Sequence, residues 1–178
     1  PPALVAVDVE FVMVATPRTV LRADGTFARQ SPARLTVARV SAVDADGKTL
    51  LDDFILPCEP VVDCLTRFSG ILPSDLDPSG PRTLLLPRAL LKIRALVDSG
   101  CTIVGHGLDG DFSALGIRPH PDQVRDTLQL LRLPAHRALS LRFLAAHLLG
   151  ERVQEGAHDS VEDARTALRL FQAYHTLK

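Results

Sequence analysis

The stretch Val5-Ala6-Val7-Asp8-Val9-Glu10-Phe11-Val12 reads as a buried β-strand built of valines, yet it carries two carboxylates two residues apart. Side chains alternate along a strand, so Asp8 and Glu10 share one face while Val7, Val9 and Phe11 fill the other. Like charges side by side in an apolar strand repel each other and lose hydration, and a bound cation relieves both costs. Hard divalent ions such as Mg2+ take oxygen ligands of this kind. Taken alone, the pair is better explained by an edge strand with one wet face.

Two further stretches carry acids at places where the backbone changes direction. In Gly105-His106-Gly107-Leu108-Asp109-Gly110-Asp111-Phe112 a strand runs into a glycine-rich turn, with two aspartates at the mouth of the following helix. On this stretch alone, helix capping and the helix dipole account for either aspartate. In His158-Asp159-Ser160-Val161-Glu162-Asp163, Asp159 and Glu162 already form a capping-box-like pair, so Asp163 is surplus to capping. Asp163 shares a helical flank with Ala167, Leu170 and Tyr174, and a carboxylate leaning toward an apolar side needs a partner. His158, five residues earlier, is placed to reach the same spot as a base. Together, a carboxylate pair on one strand, an aspartate at another strand's exit and His-x4-Asp at a helix start form a two-metal phosphodiesterase set. Two ions about 4 Å apart stabilise the attacking and leaving oxygens of an in-line displacement while a histidine deprotonates water.

The elements that must position these groups follow from periodicity. Residues 16–32 hold Pro17, Asp24-Gly25 and Pro32 and read as a long loop or hairpin insertion. Residues 35–43 alternate in the strand manner before the turn signal Asp44-Ala45-Asp46-Gly47, and 50–56 form a third strand. These three strands are expected to be an antiparallel meander. Residues 65–71 give a short helix or turn, 81–87 are ambiguous, and 88–98 have helical spacing that stops at Ser99-Gly100. Residues 102–105 are a short buried strand, a helix opens at Gly110, and 124–127 are a fifth strand. Residues 140–149 are helical with Ser140 as N-cap and Gly150 as stop, and 160–176 form the last helix. The expectation is a single α/β domain over 1–178, with a mixed five-stranded sheet flanked by helices.

With 178 residues, 46% hydrophobic and 23% charged, the chain has the profile of a globular domain with a sizeable core. No apolar run reaches membrane-spanning length, and no basic-then-apolar leader pattern opens the chain. It starts at Pro1 rather than Met, which suggests an excised domain or a processed product. A net charge of −1 argues against a constitutive nucleic-acid coating protein, though not against a nuclease whose acidic centre is balanced by metal. Cys58, Cys64 and Cys101 are odd in number and lack a CxxC, so a reducing compartment is expected.

The order Asp-x-Glu, Asp, His-x4-Asp resembles that of the DEDDh 3′→5′ exonucleases of the RNase H-like fold. More closely, residues 8–12, Asp63-Cys64-Leu65-Thr66-Arg67-Phe68-Ser69-Gly70-Ile71, 105–108, Leu139-Ser140-Leu141-Arg142-Phe143-Leu144 and 158–168 resemble the exonuclease domains of the catalytic subunits of poly(A)-nuclease deadenylase complexes. Val9 and Cys64 depart from the residues common there. The resemblance implies Asp8, Glu10, Asp111 and Asp163 as ligands of two divalent ions, Mg2+ with Mn2+ as an alternative, and His158 as general base. Asp109 competes with Asp111 for the third position. It also implies a 3′ poly(A) tail as substrate and 5′-AMP as product. The implied partners are a regulatory subunit of the complex and poly(A)-binding protein. A cytoplasmic location, including mRNA-processing bodies, follows, as does an origin in the C-terminal part of a larger protein, with no membrane involved. Other DEDDh enzymes that trim structured or ribosomal RNA, a DNA-directed proofreading exonuclease, and a catalytically silent RNA-binding domain are the rival readings.

Phe11, Val12, Arg67, Phe68, Ser69 and His106 are the candidates for contacting RNA. Arg67, Phe68 and Ser69 form a conspicuous polar-aromatic loop, although Phe68 serves equally well as an anchor of that loop to the core. His106, in a glycine-rich turn, reads more readily as structural. His147 reads as packing or solvent-facing, and His120, His136 and His175 carry no argument. With seven Phe and one Tyr, a broad aromatic stacking platform is not expected.

Overall fold

A computed structural model describes residues 3–133 and 138–176, apart from the side chain of Arg29; His136 lies outside the described residues. Strand β1, Leu4–Ala15, lies inside the main sheet. It pairs antiparallel with β4, Arg34–Asp44, and parallel with β7, Thr102–Gly105. Beyond β4 lie β5, Thr49–Leu56, and β6, Thr83–Leu85; beyond β7 lies β8, Val124–Asp126. The order β6-β5-β4-β1-β7-β8 therefore has six strands rather than five. The extra one, β6, is three residues on the outer edge, too short for any periodicity to mark it. The meander β1-β4-β5 is present, and residues 16–32 form the separate hairpin of β2, Arg18–Leu21, and β3, Phe27–Ser31.

Six α-helices are present among the described residues: α1, Thr66–Ser69; α2, Leu86–Asp98; α3, Leu108–Leu115; α4, Thr127–Leu130; α5, Leu141–Leu144; and α6, Ser160–Thr176. Helix α3 starts two residues earlier than its glycines suggest. Ser140 does cap α5, its hydroxyl accepting from Phe143 N, but the helix passes into a π turn at Ala145–Leu149 before left-handed Gly150 stops it. Among the described residues, no helix is long and apolar enough to cross a membrane.

Because β1 has neighbours on both sides and layers on both faces, its valines are buried in both directions. Val5, Val7 and Val9 enter one core with Ile93 and Val97 of α2 and Leu108, Phe112 and Leu115 of α3. Ala6 enters another with Val43, Val104 and the buried side of α6, including Val161, Ala164 and Leu168. Asp8 and Glu10, in phase with Ala6, thus lie on the α6 side. On β4, Val37 and Val40 both join the α2/α3 core, although strict alternation would send residues three apart to opposite faces. A β-bulge resolves this: Glu10 pairs with Arg39 and Phe11 with Val37, leaving Ala38 unpaired. Bulges re-aim side chains in this way next to functional sites.

The β7–α3 turn is tight at Gly105. A Cβ there would lie 2.3 Å from Leu108 Cδ2 and 2.9 Å from the Val7 carbonyl oxygen. Leu108 is fully buried and cannot retreat. We predict that Gly105→Ala costs about 1–3 kcal/mol through overpacking, read as a lower denaturation midpoint at unchanged m-value. An unaltered midpoint would show that α3 shifts freely on the sheet.

Candidate active site

Three elements converge on the α6 side of β1. The strand contributes Asp8, half-buried, and Glu10, 8% exposed. Helix α6 contributes Asp163, 4% exposed, from its first turn. Glu10, Asp163 and His158 each present a ligand-type atom within 4.8 Å of the others, with His158 Nδ1 3.5 Å from Asp163 Oδ2. Helix α3 brings in Asp111, which is close enough to act electrostatically on both Asp8 and Glu10. Residues two apart on a helix point about 200° apart, so Asp109 faces away. It is exposed, with Oδ2 3.4 Å from the Gln129 amide nitrogen. Of the two aspartates that the sequence left in competition, the fold sends Asp111 to the cluster.

The cluster's electrostatics are those of too much negative charge in too little water. Burial pushes the Asp8 carboxyl well up, and Glu10, Asp163 and Asp111 push it further, with only Arg39 opposing. Glu10 is raised to about 8, first by burial, then by Asp163. Asp111 is raised to about 7 by burial and by Asp126. Asp163 is raised by burial against the pull of a hydrogen bond from Gln154 and the nearness of His158. Its Oδ2 accepts from Gln154 Nε2 at 2.8 Å, whereas its buried Oδ1 has no partner. A buried carboxylate oxygen without a donor demands an explanation. An all-oxygen set with one histidine beside it fits a hard divalent cation.

Several residues that shape the site carry no local sign of doing so. Arg39, 7% exposed, is turned toward the acids by the bulge. Its charge is shared with Asp52, 2.8 Å from Nε, and Asp159, 3.4 Å from Nη1. Asp159 also accepts from Val161 N and Glu162 N, capping α6 directly after His158. Asp126 is buried and accepts from Gly107 N, Leu108 N and Leu128 N, clamping the start of α3 that carries Asp111. The strand-to-helix order Arg125-Asp126-Thr127 was the available signal, that of an N-cap. Gly70 packs so closely on the following histidine segment that a Cβ would fall 1.9 Å from the His158 carbonyl oxygen. The loop bearing Gly70 is tied in turn to the end of β1, with Met13 N donating to Asp63 O and Val62 N to Met13 O.

Among the candidates for RNA contact, the structure separates exposed from consumed side chains. Phe68 is 62% exposed, so it does not anchor its loop; Arg67 is exposed too, its guanidinium carbon 6.0 Å from the Phe68 ring centre. The anchors are Ile71 and Ser69. Ser69 is buried, its hydroxyl donating to Cys64 O and accepting from Ile71 N, so its side chain is spent within the loop. The Val12 side chain is fully buried beside Phe54 and Ile71, and Phe11 packs against the α2/α3 core. His106 Nδ1 lies 3.0 Å from Thr127 Oγ1, whose own hydroxyl donates to Gly105 O, so the imidazole is the donor. Burial holds its pKa below the ordinary value. His106 is thereby part of the β7–α4 packing. His147 stacks on Phe143 at 3.9 Å between ring centres.

The strand order and the parallel crossovers define an RNase H-like domain, with acids gathered over β1. The sequence profile of the exonuclease family matches residues 5–171, and the chain belongs to that family, whose membership implies use of divalent metal. Among similar proteins is PAN2, the catalytic subunit of the PAN2-PAN3 deadenylation complex, of Yarrowia lipolytica. It is 45% identical over 177 residues, which are 98% of this chain and 18% of that protein. The Homo sapiens PAN2 subunit is 43% identical over 96% of this chain and 15% of its own length. The chain thus spans about a sixth of the length of these relatives. The Saccharomyces cerevisiae Pan2 pseudoubiquitin hydrolase–RNA exonuclease module, solved in complex with A7 RNA, superposes with a TM-score of 0.84 at 39% identity. The match covers 98% of this chain and 29% of that one.

The raised carboxyl groups set a pH dependence for the metal-free protein. A carboxyl whose pKa rises on folding binds its proton more tightly in the native state, so stability falls as pH climbs from the unfolded to the folded value. For Glu10 that window runs from 4.5 to about 8, and for Asp111 from 3.8 to about 7. In chelator, the melting temperature should fall steadily from pH 5 to 8, and Glu10→Gln should flatten the fall. A flat wild-type profile would contradict the crowding described here.

Proposed function

We propose that this chain is a 3′→5′ exoribonuclease that removes AMP from poly(A) tails, working as the exonuclease domain of a longer deadenylase catalytic subunit. The observation that carries the reading is the close grouping of Glu10, Asp163 and His158, with Asp163 Oδ1 unpartnered and Asp8 and Asp111 near enough to act electrostatically on the same acids. Two Mg2+ ions, with Mn2+ as a substitute, would supply charge stabilisation at the attacking and leaving oxygens. The four carboxylates would hold them. His158, with its side chain 30% exposed, is the group that meets both the cluster and solvent. It takes the proton of the attacking water as the bond between phosphorus and the penultimate 3′ oxygen breaks and 5′-AMP departs.

Preference for adenosine is supported by the relatives named as deadenylase subunits; the related module is solved with A7 RNA and also with A-rich RNAs interrupted by guanosine, uridine or cytidine. The chain's own chemistry is compatible with it: with seven Phe and one Tyr, a self-stacked adenosine strand would supply stacking that the protein does not. Exposed Arg67 and Phe68, on the loop that abuts His158, are the side chains we assign to RNA. The expected partners are the regulatory subunit of a deadenylase complex and poly(A)-binding protein, and the expected place of action is the cytoplasm, including mRNA-processing bodies.

Two measurements test this reading. Asp111→Asn should lower the rate of mononucleotide release by at least about a hundredfold, whereas Asp109→Asn should leave it near wild type. Equal effects would assign the third ligand wrongly. On labelled 3′ tails of equal length at fixed salt and Mg2+, an adenosine tail should shorten faster than a uridine tail, and internal guanosines should stall the enzyme. Chelator should stop all release. Equal rates on the three tails would leave an exonuclease of another RNA class, and no release on any would leave an RNA-binding domain.

A further inference from the structure

Gln154 sits in the segment between the π turn and α6 with φ of 55°, in the left-handed region. Among the described residues, Leu65 is the other non-glycine with positive φ. Left-handed backbone favours Gly, Asn or Asp, and holding an ordinary side chain there costs free energy of order 1 kcal/mol. Nothing in the turn itself calls for glutamine. What the conformation achieves is reach: the side-chain amide arrives at Asp163, nine residues ahead, and Nε2 donates to Oδ2 at 2.8 Å. The turn is held from both sides. Val153 is buried beside it, and the Gln154 carbonyl accepts from Arg142 at 3.3 Å.

The hydrogen bond divides the two oxygens of Asp163. Oδ2 has the amide and, at 3.5 Å, His158 Nδ1; Oδ1 is buried with no donor. A hydrogen bond at one oxygen opposes rotation about the Cβ–Cγ bond and so favours one direction for the other oxygen. Outer partners of this kind orient metal ligands, and their loss costs about 10–100-fold in metal affinity.

We propose that Gln154 is a positioning residue of the metal centre: its amide fixes the plane of the Asp163 carboxylate and reserves Oδ1 for a divalent cation. This rests on the reading of Asp163 as a metal ligand. A charged donor in the same place would neutralise the aspartate and compete with the cation, whereas a neutral amide orients the carboxylate and leaves its charge available. The backbone strain is then the cost of bringing that amide within range.

The test is a Mn2+ titration of the purified chain followed by thermal unfolding, which reads metal binding without turnover, using wild type, Gln154→Gly, Gln154→Leu and Asp163→Asn. Glycine accepts the left-handed backbone and removes the amide; leucine keeps the bulk and removes the amide. Both should shift the half-saturating Mn2+ concentration upward by about tenfold or more, and the rate lost at low Mg2+ should be recovered by raising Mg2+. If Gln154→Gly titrates like wild type, the backbone matters and the amide does not, and the proposal fails. If both Gln154 variants titrate like wild type while Asp163→Asn loses the metal response, the metal site stands and Gln154 has no part in it. If Asp163→Asn itself responds like wild type, the metal reading fails and takes this proposal with it.

Discussion

Four carboxylates placed where water is scarce repel one another, and much of the surrounding structure exists to hold them together. Asp8 is the centre, because it feels Glu10, Asp163 and Asp111 at once. The protein opposes the repulsion with little positive charge. Arg39 is buried beside the acids but already divides itself between Asp52 and Asp159, and it stacks over Phe54 at 5.2 Å. Asp163 has one further compensation, the dipole of the Gln154 amide, whereas Asp126, although satisfied by backbone N–H groups at the start of α3, adds to the repulsion on Asp111. Crowding of this kind is relieved either by protons or by a cation, and it is the condition under which a carboxylate cluster favours binding one.

Segments more than a hundred residues apart meet there, and a polar chain fastens them. Ser160, at the start of α6, hydrogen-bonds Ser41 of β4; Ser41 donates to Asp52; Asp52 accepts from Arg39 and pairs with Arg82; Arg39 returns to Asp159. Buried ion networks add little stability compared with apolar packing, but breaking one leaves an uncompensated charge, at about 3–5 kcal/mol. Their value here is positional. The network fixes the first turn of α6 against the sheet, and that turn carries Asp163 with His158 just ahead of it.

The histidine segment is bounded on its other side by the loop of Leu65–Ile71. Gly70 allows that loop to lie against the His158 backbone, and Leu65 adopts left-handed geometry to make the turn. Ser69 and Ile71 are spent on holding the loop, which leaves Arg67 and Phe68 free on its outer surface. One short stretch therefore both braces the histidine and offers an exposed cationic and aromatic pair beside it. Buried support and exposed surface are divided between neighbouring residues.

What the sequence determined by itself was everything set by local periodicity. The two-residue spacing of Asp8 and Glu10 put them on one face; helical spacing marked α2 and α6; and Asp163 was legible as an acid that capping did not need. The resemblance of its motifs to a deadenylase exonuclease domain was also legible, since it rests on residue types in order. Tertiary structure alone decided the rest. Whether Asp109 or Asp111 joins the cluster depends on the rotation of α3 about its axis, which Asp126 and the crowded Gly105 fix from other elements. Arg39 reaches the acids only because a bulge breaks the alternation of β4. Val12 and Ser69 are buried by packing that their own neighbours in sequence do not announce, and β6 exists only as an edge completed by β5. Gln154 becomes visible only when a strained turn and a helix start lie within one hydrogen bond of each other. Those facts depend on register and contact between distant segments, which leave no periodic trace in the chain.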